Sequence, residues 1–262
     1  PMHDSPVTGE RPLLDLPLDF GTSLPTGIAR EAVTTLGRRI ANGVYAPGET
    51  MPTEPELAGS LGVSRATVRD AIKVLSGKGL VRTARRYGTR VRPLEEWNLF
   101  DADVVSWHEP DHPRLRLMFA ETTELRSIIE PAAAALAAER ATDEQVETIL
   151  AAARAMRQAT EIEPLFAADC QFHATLLDAT GNLMMRQLRP IILTMLRISY
   201  GYGMLSNGGG QVISEGHVAV AETIRARDPS AARDAMARML EHNRRTAAPA
   251  RPLAPGMAAD VS

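Results

Sequence analysis

Residues 52–92, PTEPELAGSLGVSRATVRDAIKVLSGKGLVRTARRYGTRVR, hold two short amphipathic helices, a glycine turn between them and a basic hairpin. Thr53 stands at an N-cap position with Glu56 three residues later, the spacing at which each satisfies the other's free N–H, and Pro55 falls in the first turn, where a missing N–H costs little. Gly62 ends this helix, because glycine enters the left-handed region without a Cβ penalty. Ser64 caps a second helix whose Val68, Ala71, Ile72 and Leu75 recur on one face, while Arg65, Thr67, Arg69 and Lys73 hold the other. After Gly79, two short runs rich in Val, Thr and Arg surround Tyr87 and Gly88. The succession predicts a winged helix-turn-helix, with the start of the second helix in a major groove and the hairpin against phosphate or the minor groove. On that reading the DNA contacts are Arg65, Thr67, Arg69 and Lys73 from the helix and Arg85, Arg86, Tyr87 and Gly88 from the wing.

Charge agrees with this placement. Between Ile28 and Arg92 there are 12 Lys or Arg against 5 Asp or Glu, whereas the whole chain has a formal net charge of -3. The positive surplus is gathered where a polyanion would lie.

Around this core the chain of 262 residues is long enough for two domains. Residues 1–25 carry five prolines and no apolar period, and read as a disordered arm. Residues 26–92 form the DNA-binding domain, whose first helix, over 26–43, turns Ile28, Val33, Leu36 and Ile40 inward. Residues 93–113 are a linker which, with Trp97, Leu99, Phe100 and Trp107, is too apolar to be a free tether and is expected to dock on the second domain. Residues 114–247 form that domain, and 248–262 a disordered tail. One cysteine allows no internal disulfide, and no stretch of about 18 apolar residues occurs, which together predict a cytoplasmic protein without membrane contact.

From residue 114 onward the sequence is alanine-rich with helical periods and no strand signal, predicting an all-α bundle with helices near 114–140, 143–160, 162–179, 183–202, 211–227 and 229–247. Three of these helices carry charge in rows that ought to be apolar. Asp169 and His173 lie one turn apart in line with Phe166, Phe172, Leu176 and Leu177; His217 aligns with Val220, Ala221 and Ile224; Arg126 and Glu130 stand four apart beside Leu125, Ile128 and Ile129, just before Pro131. A buried charge without a partner costs several kcal/mol, so these groups must meet one another, a metal or a ligand. Taken together they offer a guanidinium for a carboxylate, acceptors for hydroxyls and imidazoles for a divalent ion. The glycine-rich loop at 202–211 is a candidate cover for such a cavity.

The segments PGETMPTEPELAGSLG and VSRATVRDAIKVLSGKGLVRTARRYGTRV resemble the DNA-binding half of the GntR family of bacterial transcription regulators. Residues from about Asp103 to Arg245 resemble the effector-binding (FCD-type) domain of its FadR-type branch. The resemblance implies a mainly α protein, a winged helix-turn-helix followed by a helical bundle, with Arg65, Arg69 and Gly88 on operator DNA. Pro55 stands where several members have a basic residue. It also implies an effector site of Arg126, Glu130, Asp169, His173 and His217, and a divalent metal, zinc or similar, on Asp169, His173 and His217; Met239 occupies the position of the usual fourth ligand. WNLFDADVVSW, LRSIIEP and DCQFHATLL are similar to galactonate-responsive members, which implies a homodimeric repressor released from its operator by a sugar acid. Hydroxy-acid, amino-acid or acyl effectors are the alternatives within the class. A metal-dependent hydrolase or lyase is the alternative outside it, and no separate general base stands near the ligand residues to support one.

Overall fold

The computed structural model describes residues 24–109, 112–201 and 210–246. The predicted arm up to residue 23, the tail and residues 202–209 of the glycine-rich loop lie outside the described residues. The chain divides into two compact units whose boundary falls between Ala120 and Glu121.

The first unit is built from α1 (Gly27–Ala41), α2 (Glu54–Leu61), α3 (Arg65–Gly77), the hairpin β1 (Val81–Ala84) and β2 (Gly88–Val91), a short 3-10 turn (Leu94–Glu96) and α4 (Ala102–Ser106). Its core joins Val33, Leu36 and Ile40 of α1 to Leu57 of α2 and to Val68, Ala71 and Leu75 of α3. The predicted caps are present: Glu56 accepts from the Thr53 N–H at 2.7 Å, and Ser64 Oγ accepts from the Thr67 N–H at 3.0 Å. Gly62 supplies the left-handed turn between α2 and α3 with φ 66°. The hairpin pairs Val81 with Val91, Arg82 with Arg90, Thr83 with Thr89 and Ala84 with Gly88, and Thr50 bridges to Arg90 on the outer edge.

Two expectations for this unit are corrected. Ile28 is 63% exposed: the repeat through Ile40, Leu36 and Val33 continues to Ala29, which is half-buried, so Ile28 falls off the inward face. The tryptophans of the 93–113 segment, expected on the second domain, are part of the DNA-binding unit. Trp97, Val104 and Trp107 belong to its core. Trp97 Nε1 donates to the Arg92 carbonyl at 2.9 Å, and the Trp107 indole lies so close to Gly37 of α1 that a Cβ there would meet ring carbon at 2.4 Å. Lys78, at the end of α3, reaches Asp101 at 2.6 Å and Asp103 at 2.9 Å, with its side chain only 5% exposed, and so fastens the same segment to the second helix of the motif.

The second unit holds most of α5 (Pro113–Arg140), then α6 (Asp143–Gln158), α7 (Ile162–Ala179), α8 (Leu183–Arg186), α9 (Arg189–Gly201), α10 (Gly210–Arg225) and α11 (Pro229–Thr246). It is all helical among the described residues. The expected helix over 183–202 is broken in two, α9 restarting with Pro190 in its first turn, where the ring has no preceding carbonyl to obstruct. α5 runs through Pro131 without ending. Helix α7 is central: it packs against α6 and α9, while α10 packs against α6 and α11. Nearly every α7 side chain from Phe166 to Leu177 is buried, Asp169, His173 and Thr175 included.

Candidate functional site

The first unit presents a basic surface. Arg65, Arg69 and Lys73 project from the exposed face of α3, and Arg82, Arg85, Arg86, Tyr87 and Arg90 from the wing. Thr67 is half-buried, its hydroxyl 2.8 Å from Ser64 Oγ, so it serves the helix cap as well as the surface. Arg69 is held by Glu54 of α2 at 2.9 Å, a partner the sequence reading did not identify, and Lys73 by Asp70 at 3.0 Å. That pairing lowers the Glu54 carboxyl below its ordinary range, the guanidinium hydrogen bond being the main cause. At the wing tip, the Tyr87 N–H donates to the Ala84 carbonyl, closing a turn in which Arg86 takes a φ of 91° and Gly88 one of 73°. Tyr87 is 69% exposed.

Within the second unit, the charged residues singled out on α5, α7 and α10 come together. Arg126 grips Glu130 through two contacts, Nε to Oε1 at 2.8 Å and Nη2 to Oε2 at 3.2 Å. His173 lies between them and α7's own acid: Nδ1 is 3.3 Å from Glu130, and Nε2 is 3.2 Å from Asp169 Oδ1 and 3.2 Å from Arg126 Nη2. His217 Nε2 approaches from α10, 3.2 Å from the same Asp169 Oδ1 and 3.3 Å from His173 Nε2. Leu125 and Ile129, beside Arg126 on α5, are half-buried, but Ile128 is 67% exposed and off the inward face. Tyr200, at the end of α9, completes the group by donating from Oη to Asp169 Oδ2 at 3.0 Å. The sequence reading missed it.

Burial and charge compete here. Burial alone would hold Glu130 and Asp169 neutral, but Arg126 and the imidazoles outweigh it, keeping Glu130 ionised down to about 2 and Asp169 well below the usual carboxylate range. Burial likewise opposes charge on His173, and Glu130 and Asp169 overcome it, raising His173 to about 9. Cys170 is buried, and burial, helped by the Asp169 charge, pushes its thiol up. Arg126 is the least deeply buried of these four, with 11% of its side chain exposed against 1% to 2% for Glu130, Asp169 and His173.

Asp169, His173 and His217 also satisfy a test for a metal. Their donor atoms lie within 4.8 Å of one another. The three closest, Oδ1 and the two Nε2 atoms, form a nearly equilateral triangle of 3.2 to 3.3 Å. The vertices of such a triangle stand about 1.9 Å from its centre, close to the roughly 2.0–2.1 Å of zinc bonds to imidazole and carboxylate. Oδ1 is buried yet accepts no well-directed hydrogen bond, so it has a lone pair to give. Met239, in place of a fourth ligand, is buried, with its Cγ 2.6 Å from where a Cβ on Gly216 would stand. Its thioether is a packing group against α10.

A basic winged helix-turn-helix followed by a helical unit with a charged interior fits an effector-responsive DNA-binding regulator. Residues 28–91 match the gntR family of bacterial regulatory proteins, and residues 121–242 match the FCD domain. The chain is 33% identical over 218 residues to the galactonate operon transcriptional repressor of Escherichia coli, covering 81% of this chain and 93% of that one. It is 30% identical over 193 residues to the transcriptional repressor NanR of Cronobacter sakazakii, covering 72% and 73%. A solved structure of Lar, described as controlling expression of the Listeria monocytogenes agr system, shares the fold with a TM-score of 0.56 and 21% identity, over 85% of this chain and 97% of that chain. The chain belongs to the GntR family, in the FadR subfamily that carries the FCD domain. The first domain implies operator DNA as partner and the second a small effector. No helix among the described residues is long and apolar enough to cross a membrane.

Proposed function

We propose that this regulator represses a sugar-acid catabolic operon and is released from its operator when a small hydroxy-carboxylate enters the second unit. The observation that carries the reading is the cluster itself: one guanidinium, two carboxylates and two imidazoles, contributed by three helices and buried together, with Arg126 less deeply buried than Glu130, Asp169 and His173. A polar interior of this kind suits a ligand with a carboxylate and several hydroxyls and repels an acyl chain. The 33% identity to a galactonate operon repressor supports the same choice.

Arg126 receives the effector carboxylate, and Glu130, Asp169, His173 and His217 the hydroxyls. Asp169, His173 and His217 hold a divalent cation, zinc or similar, which when bound supplies a Lewis-acidic centre for the effector's oxygens. A bound cation would require both imidazoles neutral, displacing the proton that Glu130 and Asp169 hold on His173; the side chains would then sum to one negative charge, and a divalent ion with one effector carboxylate would balance it. The protein acts as a homodimer on an inverted repeat, since one recognition helix reads too few base pairs for useful specificity. Hundredfold relief of repression requires about 2.7 kcal/mol of coupling between effector and DNA, within the usual allosteric range.

Titration calorimetry against a panel of sugar acids, with and without chelator, tests the reading. Micromolar binding that weakens on chelation is expected; binding indifferent to chelator removes the metal, and no binding by any sugar acid removes the effector class. Arg126→Ala should still bind operator but no longer respond to the sugar acid, and normal induction in that variant takes Arg126 out of the site.

A further inference from the structure

Asp169 has two oxygens, and the structure treats them differently. Oδ2 accepts from Tyr200 Oη at 3.0 Å, while Oδ1 faces both Nε2 atoms at 3.2 Å. Tyr200 is 4% exposed and its ring meets Phe166 edge-on, centroids 5.2 Å apart, so the hydroxyl is held rather than free to wander. A carboxylate without such a bond can rotate about its last torsion and offer a cation either oxygen or both. Hydrogen bonds from outside the ligand set are what fix a ligand's orientation at metal centres.

We propose that Tyr200 is a positioning residue: by occupying Oδ2 it makes Asp169 a one-oxygen ligand, aims Oδ1 at the imidazole pair, and leaves the cation's remaining positions to the oxygens of an effector. The proposal rests on the reading of Asp169, His173 and His217 as a cation site. It matters more here than where four protein ligands define the geometry, because Met239 contributes no hard donor and each of the three remaining ligands carries a larger share.

The test compares wild-type and Tyr200→Phe, which removes one hydroxyl from a buried ring. Full-length protein stripped with chelator is titrated with zinc chloride by calorimetry, and its cobalt(II) form is examined by visible absorption. Tyr200→Phe should bind zinc 10- to 100-fold more weakly and show an altered cobalt spectrum as the carboxylate shifts toward two-oxygen binding. In an Asp169→Ala background the same change should have no further effect on zinc affinity. If wild-type binds no zinc, the cation reading falls and this inference with it. If wild-type binds zinc and Tyr200→Phe matches it in affinity and cobalt spectrum, the cation reading stands and Tyr200 is only packing. Equal losses in both backgrounds overturn the proposal as well, since they mean the hydroxyl acts elsewhere. Fluorine NMR of wild-type protein carrying fluorotyrosine keeps the question open to disproof even if the variant fails to fold: zinc must shift one of the four tyrosine resonances, and four unmoved resonances sink the idea.

Discussion

Replacing Arg69 with alanine should separate DNA binding from everything else the protein does. In the free protein its guanidinium is occupied by Glu54 at 2.9 Å, but the two side chains are 59% and 35% exposed, so the pair is solvated and contributes little to stability. The melting temperature should therefore move by less than about 2 °C. On the operator, a bidentate arginine–guanine contact discriminates by roughly 5- to 150-fold; if Arg69 makes it and the proposed dimer loses it twice, affinity should drop by between about 30-fold and 20,000-fold. Fluorescence anisotropy of labelled operator at fixed salt measures the loss, and calorimetry with the sugar acid should give the wild-type constant. Glu54→Gln provides the control: it removes the competitor for the guanidinium without touching it, and should leave operator affinity equal or raised. An Arg69→Ala protein that lost operator and effector binding together, or that melted much lower, would refute the modular reasoning.

Two further expectations concern the same unit. Burial, helped by the nearby Arg114 charge, lowers His108 from its ordinary 6.5 to about 4. As pH falls through that interval the unfolded chain binds the proton first, so about 3 kcal/mol of stability is lost between pH 6.5 and pH 4. The chain's two tryptophans both lie in this unit, so urea unfolding followed by indole fluorescence reads it alone, and His108→Gln should flatten the slope; an unchanged slope assigns the loss to other groups. At the wing tip, Arg86 holds a φ of 91° that glycine adopts without strain. Arg86→Gly should raise stability by about 1 kcal/mol while weakening operator binding, with a shallower salt dependence. If operator affinity survives that change, the strained arginine is not there for DNA.

The DNA-binding unit was legible in the sequence because its signals are local. A cap three residues from its partner, a glycine at a forced turn and an apolar row at helical spacing each act within a few residues, as Thr53, Gly62 and Val68 do. The buried cluster was legible for a related reason: charge in an inward row is an anomaly wherever it occurs, and Asp169 and His173 share one helix. What could not be read was choice of partner. The tryptophans of the 93–113 segment announce that they are buried but not against what, and the cue lay elsewhere, in Gly37, a glycine inside α1 with no turn to make. Tyr200 reads as one more large residue on the apolar row of LTMLRISY, and its acceptor lies 31 residues away. Glu54, 15 residues before Arg69, was hidden in the same way.

The cluster's energetic cost bears on why it is there. Replacing a buried ionic group by well-packed apolar side chains is often neutral or stabilising, so five such residues do not exist to hold the second unit together. The cluster's neighbours on α7, Phe166, Phe172, Leu176 and Leu177, are fully buried apolar side chains. An occupant of such a centre at a hundred times its dissociation constant would add about 2.7 kcal/mol of stability, the same size as the coupling needed to lift repression hundredfold. On the proposed reading Asp169 Oδ1, which accepts no well-directed hydrogen bond, takes the cation, and Arg126, already held by Glu130, exchanges part of that pairing for the effector's carboxylate.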